Sequence, residues 1–186
     1  NGLIDLKPFY FKANFNYDGI NFKNFFNDDS IFSDIVKSEI LNNENLNAEI
    51  KINIKDILNV DELNNLVLNI LIDEGDINLS NSNILWKDDD LKLTFEDSTL
   101  YFDGDGINLF GKVLINFNNI ESFYRSFQIK KSSRKKISKI EVNFNYDFNH
   151  KKIHLNNIKI DTNKNPKIDK YIENFNKNNT KTLNKI

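Results

Sequence analysis

The chain has no cysteine and no methionine, and only one tryptophan, two prolines, two histidines and six glycines in 186 residues. The missing cysteine excludes disulfides, thiolate metal ligation and a thiol nucleophile, and it leaves the redox compartment open. With few histidines and no glycine-rich phosphate loop, little is left from which to assemble a catalytic centre, so no enzyme and no cofactor are expected. No window approaches ~18 consecutive apolar residues, so no spanning helix is expected within the sequence. A chain without methionine that begins with Asn reads as a segment of a longer polypeptide, with any signal peptide or anchor outside it. The formal net charge of −2 gives no global argument for nucleic acid or an anionic membrane.

Asn, Lys, Ile, Asp and Phe are overused instead. Asn makes up about one residue in five or six, far above ordinary usage. Codons rich in A and T account for this bias. The Asn residues alternate with hydrophobic ones and do not form tracts, which argues against a prion-like segment.

That alternation is the main signal. Phe9, Phe11, Ala13, Phe15 and Tyr17 alternate with Tyr10, Lys12, Asn14 and Asn16. Leu46, Ala48, Ile50, Ile52 and Ile54 alternate with Asn47, Glu49, Lys51 and Asn53, and Ile140, Val142, Phe144, Tyr146 and Phe148 with Glu141, Asn143, Asn145 and Asp147. A period of two places each set on opposite faces of a sheet, one apolar and one wet. Further strands are expected over 66–72, 91–95 and 107–117, with a bulge at Asn156-Asn157 where the apolar phase shifts from odd to even numbers. Asp18-Gly19, Glu74-Gly75-Asp76, Asp88-Asp89-Asp90 and Asp103-Gly104-Asp105-Gly106 read as turns, the first and last as hairpins. Three short helices are expected. One lies at about 30–41, one at about 119–127 with Ile120, Phe123, Tyr124 and Phe127 on one stripe, and one after Pro166 with Ile168, Tyr171, Ile172 and Phe175 facing inward.

The fold class expected is therefore mainly β: a twisted, mostly antiparallel sheet or groove of about eight to ten strands with two or three short flanking helices. It forms a single domain over 1–176, followed by a polar tail over 177–186. Phe11, Phe15, Ile50, Ile52, Ile54, Leu109, Val113, Phe144 and Tyr146 share a phase and are expected on one apolar surface. That surface must be covered, by the protein's own core or by a ligand.

Candidate chemistry is sparse. Asp103 to Gly106 suggests a calcium loop, but counting from Asp103 puts Asn108 and Leu114 where an EF-hand needs glycine and a bidentate acid. A hairpin turn is the better reading. His150 and His154 flank a turn with no carboxylate pair to complete a metal site, so no metal is expected. Arg125, Lys130, Lys131, Arg134, Lys135, Lys136 and Lys139 form a basic stretch without an acid. It is either a solvated, mobile connector or, through Lys130, Lys131, Arg134, Lys135 and Lys136, a contact for lipid headgroups. No aromatic RNA-binding pattern accompanies it, and no nucleic acid partner is expected.

Glu74-Gly75-Asp76-Ile77-Asn78-Leu79, Ser82-Asn83-Ile84-Leu85-Trp86-Lys87, the strand Ile107–Phe117 with Gly111-Lys112, and Phe123-Tyr124-Arg125-Ser126-Phe127-Gln128 leading to Arg134-Lys135-Lys136 carry a resemblance. Over roughly 45–175 the chain resembles the C-terminal regions of the AsmA-like proteins of Gram-negative envelopes. The resemblance implies a periplasmic body tethered to the inner membrane by an anchor outside this segment, with a part in outer-membrane biogenesis. Its repeated strands would curl into a hydrophobic groove that shelters phospholipid acyl chains between the two membranes. The same residues also suit a β-scaffold whose apolar face is filled by its own helices.

Overall fold

The computed structural model describes residues 2–6, 9–21, 43, 45–102, 107–161, 163–164 and 166–178. The expected helix at 30–41 and the Asp103–Gly106 turn lie outside these residues.

One mainly β sheet organises the chain. Its strands are β1 (Gly2–Leu6), β2 (Phe9–Ile20), β3 (Asn47–Ile57), β4 (Leu63–Asp73), β5 (Asp76–Asn78), β6 (Asn83–Trp86), β7 (Leu91–Phe102), β8 (Ile107–Phe117), β9 (Lys139–Asp147), β10 (Lys152–Ile160) and β11 (Asn163–Lys164). The spatial order follows the sequence, and β5 and β6 both sit between β4 and β7 as two pieces of one interrupted strand. Two α-helices are present among the described residues, α1 (Ile120–Ser126) and α2 (Pro166–Asn178).

Every neighbouring pair is antiparallel except β2–β3, which is parallel. This corrects the reading of Asp18-Gly19 as a hairpin. β2 runs straight through it, with Gly19 opposite Asp56 and the Leu58 N–H donating to the Ile20 carbonyl at 2.8 Å. The ladder to β3 holds these residues extended, so tertiary pairing overrides the local turn preference. A parallel pair needs a long connection, and the chain between β2 and β3 supplies one. Glu74-Gly75 does form a hairpin turn: both residues have positive φ, at 49° and 88°, as a two-residue turn between Asp73 and Asp76 requires.

Bulges fall where the apolar phase breaks. Asn156 is the extra residue between Leu155, opposite Phe144, and Asn157, opposite Asn143, as the sequence suggested. A second bulge at Asp97-Ser98 lets β7 keep its apolar residues inward on both sides. There Gly111 of β8 is required. A Cβ at this position would lie 2.8 Å from the Ser98 Cβ and 3.0 Å from its Cα, and Ser98 itself is fully buried.

The helices close the margins. Asn119 caps α1, its side chain accepting from the Ser122 N–H at 3.3 Å, and the Asp90 carbonyl accepts the N–H groups of Asn118 and Asn119 at 3.0 Å each. α2 lies along the edge strand β10. Only Ile172 of α2 is buried; Tyr171 and Phe175, expected inward, are exposed, because a helix lying on a strand edge covers a narrow stripe. α2 runs to Asn178, so Lys177 and Asn178 of the expected tail belong to the helix, and Asn176 just before them ties it to β10. The Asn176 Oδ1 accepts the Leu155 N–H at 2.9 Å and its Nδ2 donates to the Leu155 carbonyl at 2.8 Å.

Candidate apolar ligand face

Ladder partners in a sheet point their side chains to the same side. Phe11, Ala48, Ile72, Ile77, Leu100, Leu109, Tyr146 and Ile153 are partners in turn across β2, β3, β4, β5, β7, β8, β9 and β10. At ~4.8 Å between strands, the seven steps run about 34 Å along the sheet, close to the ~30 Å of a bilayer's hydrocarbon core. Parallel rows extend the surface. Phe15, Ile52 and Leu68 form one, Tyr17, Ile54 and Leu66 another, and Ile84, Leu93, Ile115, Ile140 and Ile160 a third.

The nine residues singled out from the sequence all lie on this face by register. Phe11, Ile50, Leu109, Val113, Phe144 and Tyr146 belong to one packed cluster with Ala48, Ile72, Ile77, Leu100 and Ile107. Ile52 and Ile54 belong to a neighbouring cluster with Ile57, Leu66 and Ile84. Phe15 stands at the margin, 42% exposed. Full burial of a Leu or Ile side chain contributes about 1.5–3 kcal/mol, so these rows are the chief source of stability. Phe95 and Phe144 meet edge to face at 6.1 Å, Phe144 being the ladder partner of Gly111.

α1 closes one end of the face. Phe123 packs on Phe117 at 5.3 Å and on Trp86 at 6.1 Å, and Phe127 stacks on Trp86 at 6.3 Å. The sequence stripe of α1 singled out Phe123 and Phe127. It did not separate Tyr124, which is buried on another side and donates from its hydroxyl to the Lys135 carbonyl at 2.5 Å.

The reverse face is mainly polar, with Leu71, Tyr101 and Phe110 exposed on it. Lys12 pairs with Glu49 at 2.5 Å, Asn53 donates to Asn14 and Asn16, Lys112 pairs with Glu96 and Asp97, and Glu141 sits between Lys139 and Lys159. Hydrogen bonding from Lys12 and from Tyr10 holds the Glu49 carboxyl below its ordinary range, and the Lys139 contact does the same for Glu141. Solvent screens such exposed pairs. They set which face is wet and add little to stability.

The remaining candidates do not converge. His150 Nδ1 lies 2.6 Å from Asp147 Oδ2 in the β9–β10 turn, whereas His154 is on β10 beside Asn176. Burial pushes the Asp147 carboxyl up, but hydrogen bonds from His150 outweigh it and hold the group low. No cluster of three His, Asp or Glu suited to a metal occurs among the described residues. One depression of about 740 Å³ is lined by Asp61, Glu62, Asp88, Asp89 and Asp90 at the turn after β6. Another, of about 640 Å³, lies on the polar face, with Leu3, Lys12, Asn14, Glu49, Lys51 and Leu71 among its lining residues.

The basic stretch is largely exposed, as expected, and is tied to α1 at Arg134 and Lys135. The Arg134 guanidinium donates to Glu121 at 2.7 Å and to the Ile129 carbonyl at 3.0 Å, and the Tyr124 hydroxyl accepts the Lys135 N–H at 3.2 Å. Arg134 is thus committed to holding the segment, while Lys130, Lys131, Lys135 and Lys136 face solvent. No helix of the described residues is long and apolar enough to cross a membrane. No family model, curated protein or solved structure matches the chain.

Proposed function

We propose that this chain is a non-enzymatic segment of an AsmA-like envelope protein, whose apolar sheet face contributes to a groove for phospholipid acyl chains in transfer between membranes. The parent protein would be periplasmic and tethered to the inner membrane by an anchor outside this segment. The observation that supports this reading is the unbroken apolar row across eight strands, backed by a mainly polar reverse face. An acyl chain gains ~0.8 kcal/mol per buried methylene, so such a surface holds lipid without any specific motif. Ala48, Ile72 and Ile77 are only 2–3% exposed and serve as the floor. Contact falls to the half-buried Ile50, Ile52, Phe95 and Val113 and to the exposed Phe15.

The near-complete burial of that floor favours a second reading, a β-scaffold for protein interaction whose apolar face is closed by its own helices. Lipid extraction separates the two. The purified chain should yield phospholipid by mass spectrometry. Phe15→Asp, at an exposed position, should lower the yield at unchanged circular dichroism, because an unpaired carboxylate beside acyl chains is costly to desolvate. Folded protein that retains no lipid supports the scaffold.

A further inference from the structure

We propose that the end of the molecule carrying Phe127, Lys130, Lys131, Lys135 and Lys136 is a docking surface for an anionic lipid bilayer. The inference rests on the lipid-transfer reading and names the partner that meets the margin of the apolar face where α1 covers the strand ends of β6 and β8.

Phe127 follows the last turn of α1 and is 59% exposed, yet its ring is backed by Trp86 at 6.3 Å and by Phe123 at 4.6 Å. A large aromatic is thus presented outward on a fixed base, at the end of the apolar face marked by Trp86 and Phe117. Three residues on, the chain turns through Lys131–Ser133 and presents four exposed lysines. Two neighbouring cations are already satisfied, Arg134 by Glu121 and Lys139 by Glu141. Among the described residues no carboxylate pairs with the four lysines.

The lysines hang from backbone that Tyr124 and Arg134 hold in place, so less freedom is lost when they meet a surface. A basic cluster beside an apolar wedge fits a bilayer interface, where cations meet headgroups and the ring enters the acyl boundary. The acidic turn Asp88-Asp89 adjoins the C-terminal end of α1, where Lys87 Nζ donates to Ser126 Oγ at 2.6 Å. A nucleic acid would need a row of stacking aromatics, and this surface offers one ring.

Trp86, the only tryptophan, reports on the site because Phe127 stacks on it. The experiment uses the 186-residue chain with vesicles of neutral phosphatidylcholine and vesicles doped with phosphatidylglycerol. Co-sedimentation should require the anionic lipid and weaken with salt, and brominated acyl chains should quench Trp86. Each Lys→Gln change at the four positions should weaken binding about fivefold, and all four together by more than a hundredfold. Phe127→Ser should abolish quenching without altering circular dichroism. Equal binding to neutral and anionic vesicles, unchanged binding by the four-lysine variant, or a preference for single-stranded nucleic acid would overturn the proposal. Lipid recovered from the purified chain is measured in parallel. Loss of vesicle binding with retained lipid strikes the tip, not the groove, so a failed docking surface is distinguishable from a failed transfer reading.

Discussion

The Ser82 hydroxyl takes the place of a strand beside Asn69. Its Oγ accepts the Asn69 N–H at 2.9 Å and donates to the Asn69 carbonyl at 3.2 Å, where β4 passes from β5 to β6 and has a ladder partner only on the β3 side, Lys51. Ser82 is fully buried, so water does not reach the site. Ser82→Ala leaves both backbone groups unsatisfied, at about 1–3 kcal/mol per group. The expected loss is about 2–4 kcal/mol by urea denaturation at unchanged m-value. A loss below about 0.5 kcal/mol would show that the strand break needs no side-chain bridge.

Gly111→Ala should destabilise through the close approach of Ser98. An added methyl meets the Ser98 Oγ first and its Cβ and Cα behind it, so turning the hydroxyl aside does not clear the space, and overpacking of this kind costs about 1–3 kcal/mol. Ser98→Gly removes part of the obstacle, so the double variant should be more stable than the sum of the single effects implies. Strict additivity in that cycle refutes the steric account.

Asn176 acts as a substitute strand for the β10 edge. Asn176→Ala should cost about 1–2 kcal/mol and speed hydrogen exchange at the Leu155 amide, with exchange elsewhere on β10 changed less. An uncovered edge also invites pairing with another chain, so sedimentation should show more concentration-dependent association than wild type. Unchanged Leu155 protection means α2 does not guard the edge.

Acid should weaken the join between β9 and β10 at Asp161. Its carboxylate accepts from the Ser138 hydroxyl at 2.8 Å and from the N–H groups of Ser138 and Lys139 at 3.0 Å each. Bonds from the Ser138 side chain, then from the two backbone N–H groups, hold its pKa below the ordinary 3.8. The folded value is the lower one, so the stabilisation is complete above 3.8 and is lost as pH falls through the folded value. Asp161→Ala should flatten the stability profile in that acid range and leave its shape near neutrality unchanged. A variant that keeps the full acid slope places the effect on other carboxylates.

The sheet's two faces were legible in the sequence because a strand's side-chain period is two whatever its partners. Phe144 and Glu141 were assigned to opposite sides by counting alone, and the shift after Leu155 placed the bulge at Asn156. The stripe of α1 was legible for the same reason, since it depends on residues within one turn of each other. What depends on distant residues was not. The parallel pairing of β2 with β3, which carries Asp18-Gly19 straight through a turn signal, is decided by Asp56 and Leu58. The engagement of Arg134, one cation among seven in an acid-free stretch, is decided by Glu121 across α1. The role of Gly111 requires the bulge at Ser98, and that of Asn176 requires an unpaired edge at Leu155. Local periodicity fixes which way a side chain points. Which neighbour it meets, and so which polar groups are consumed by the fold and which are left for a ligand, is settled only when the strands pair.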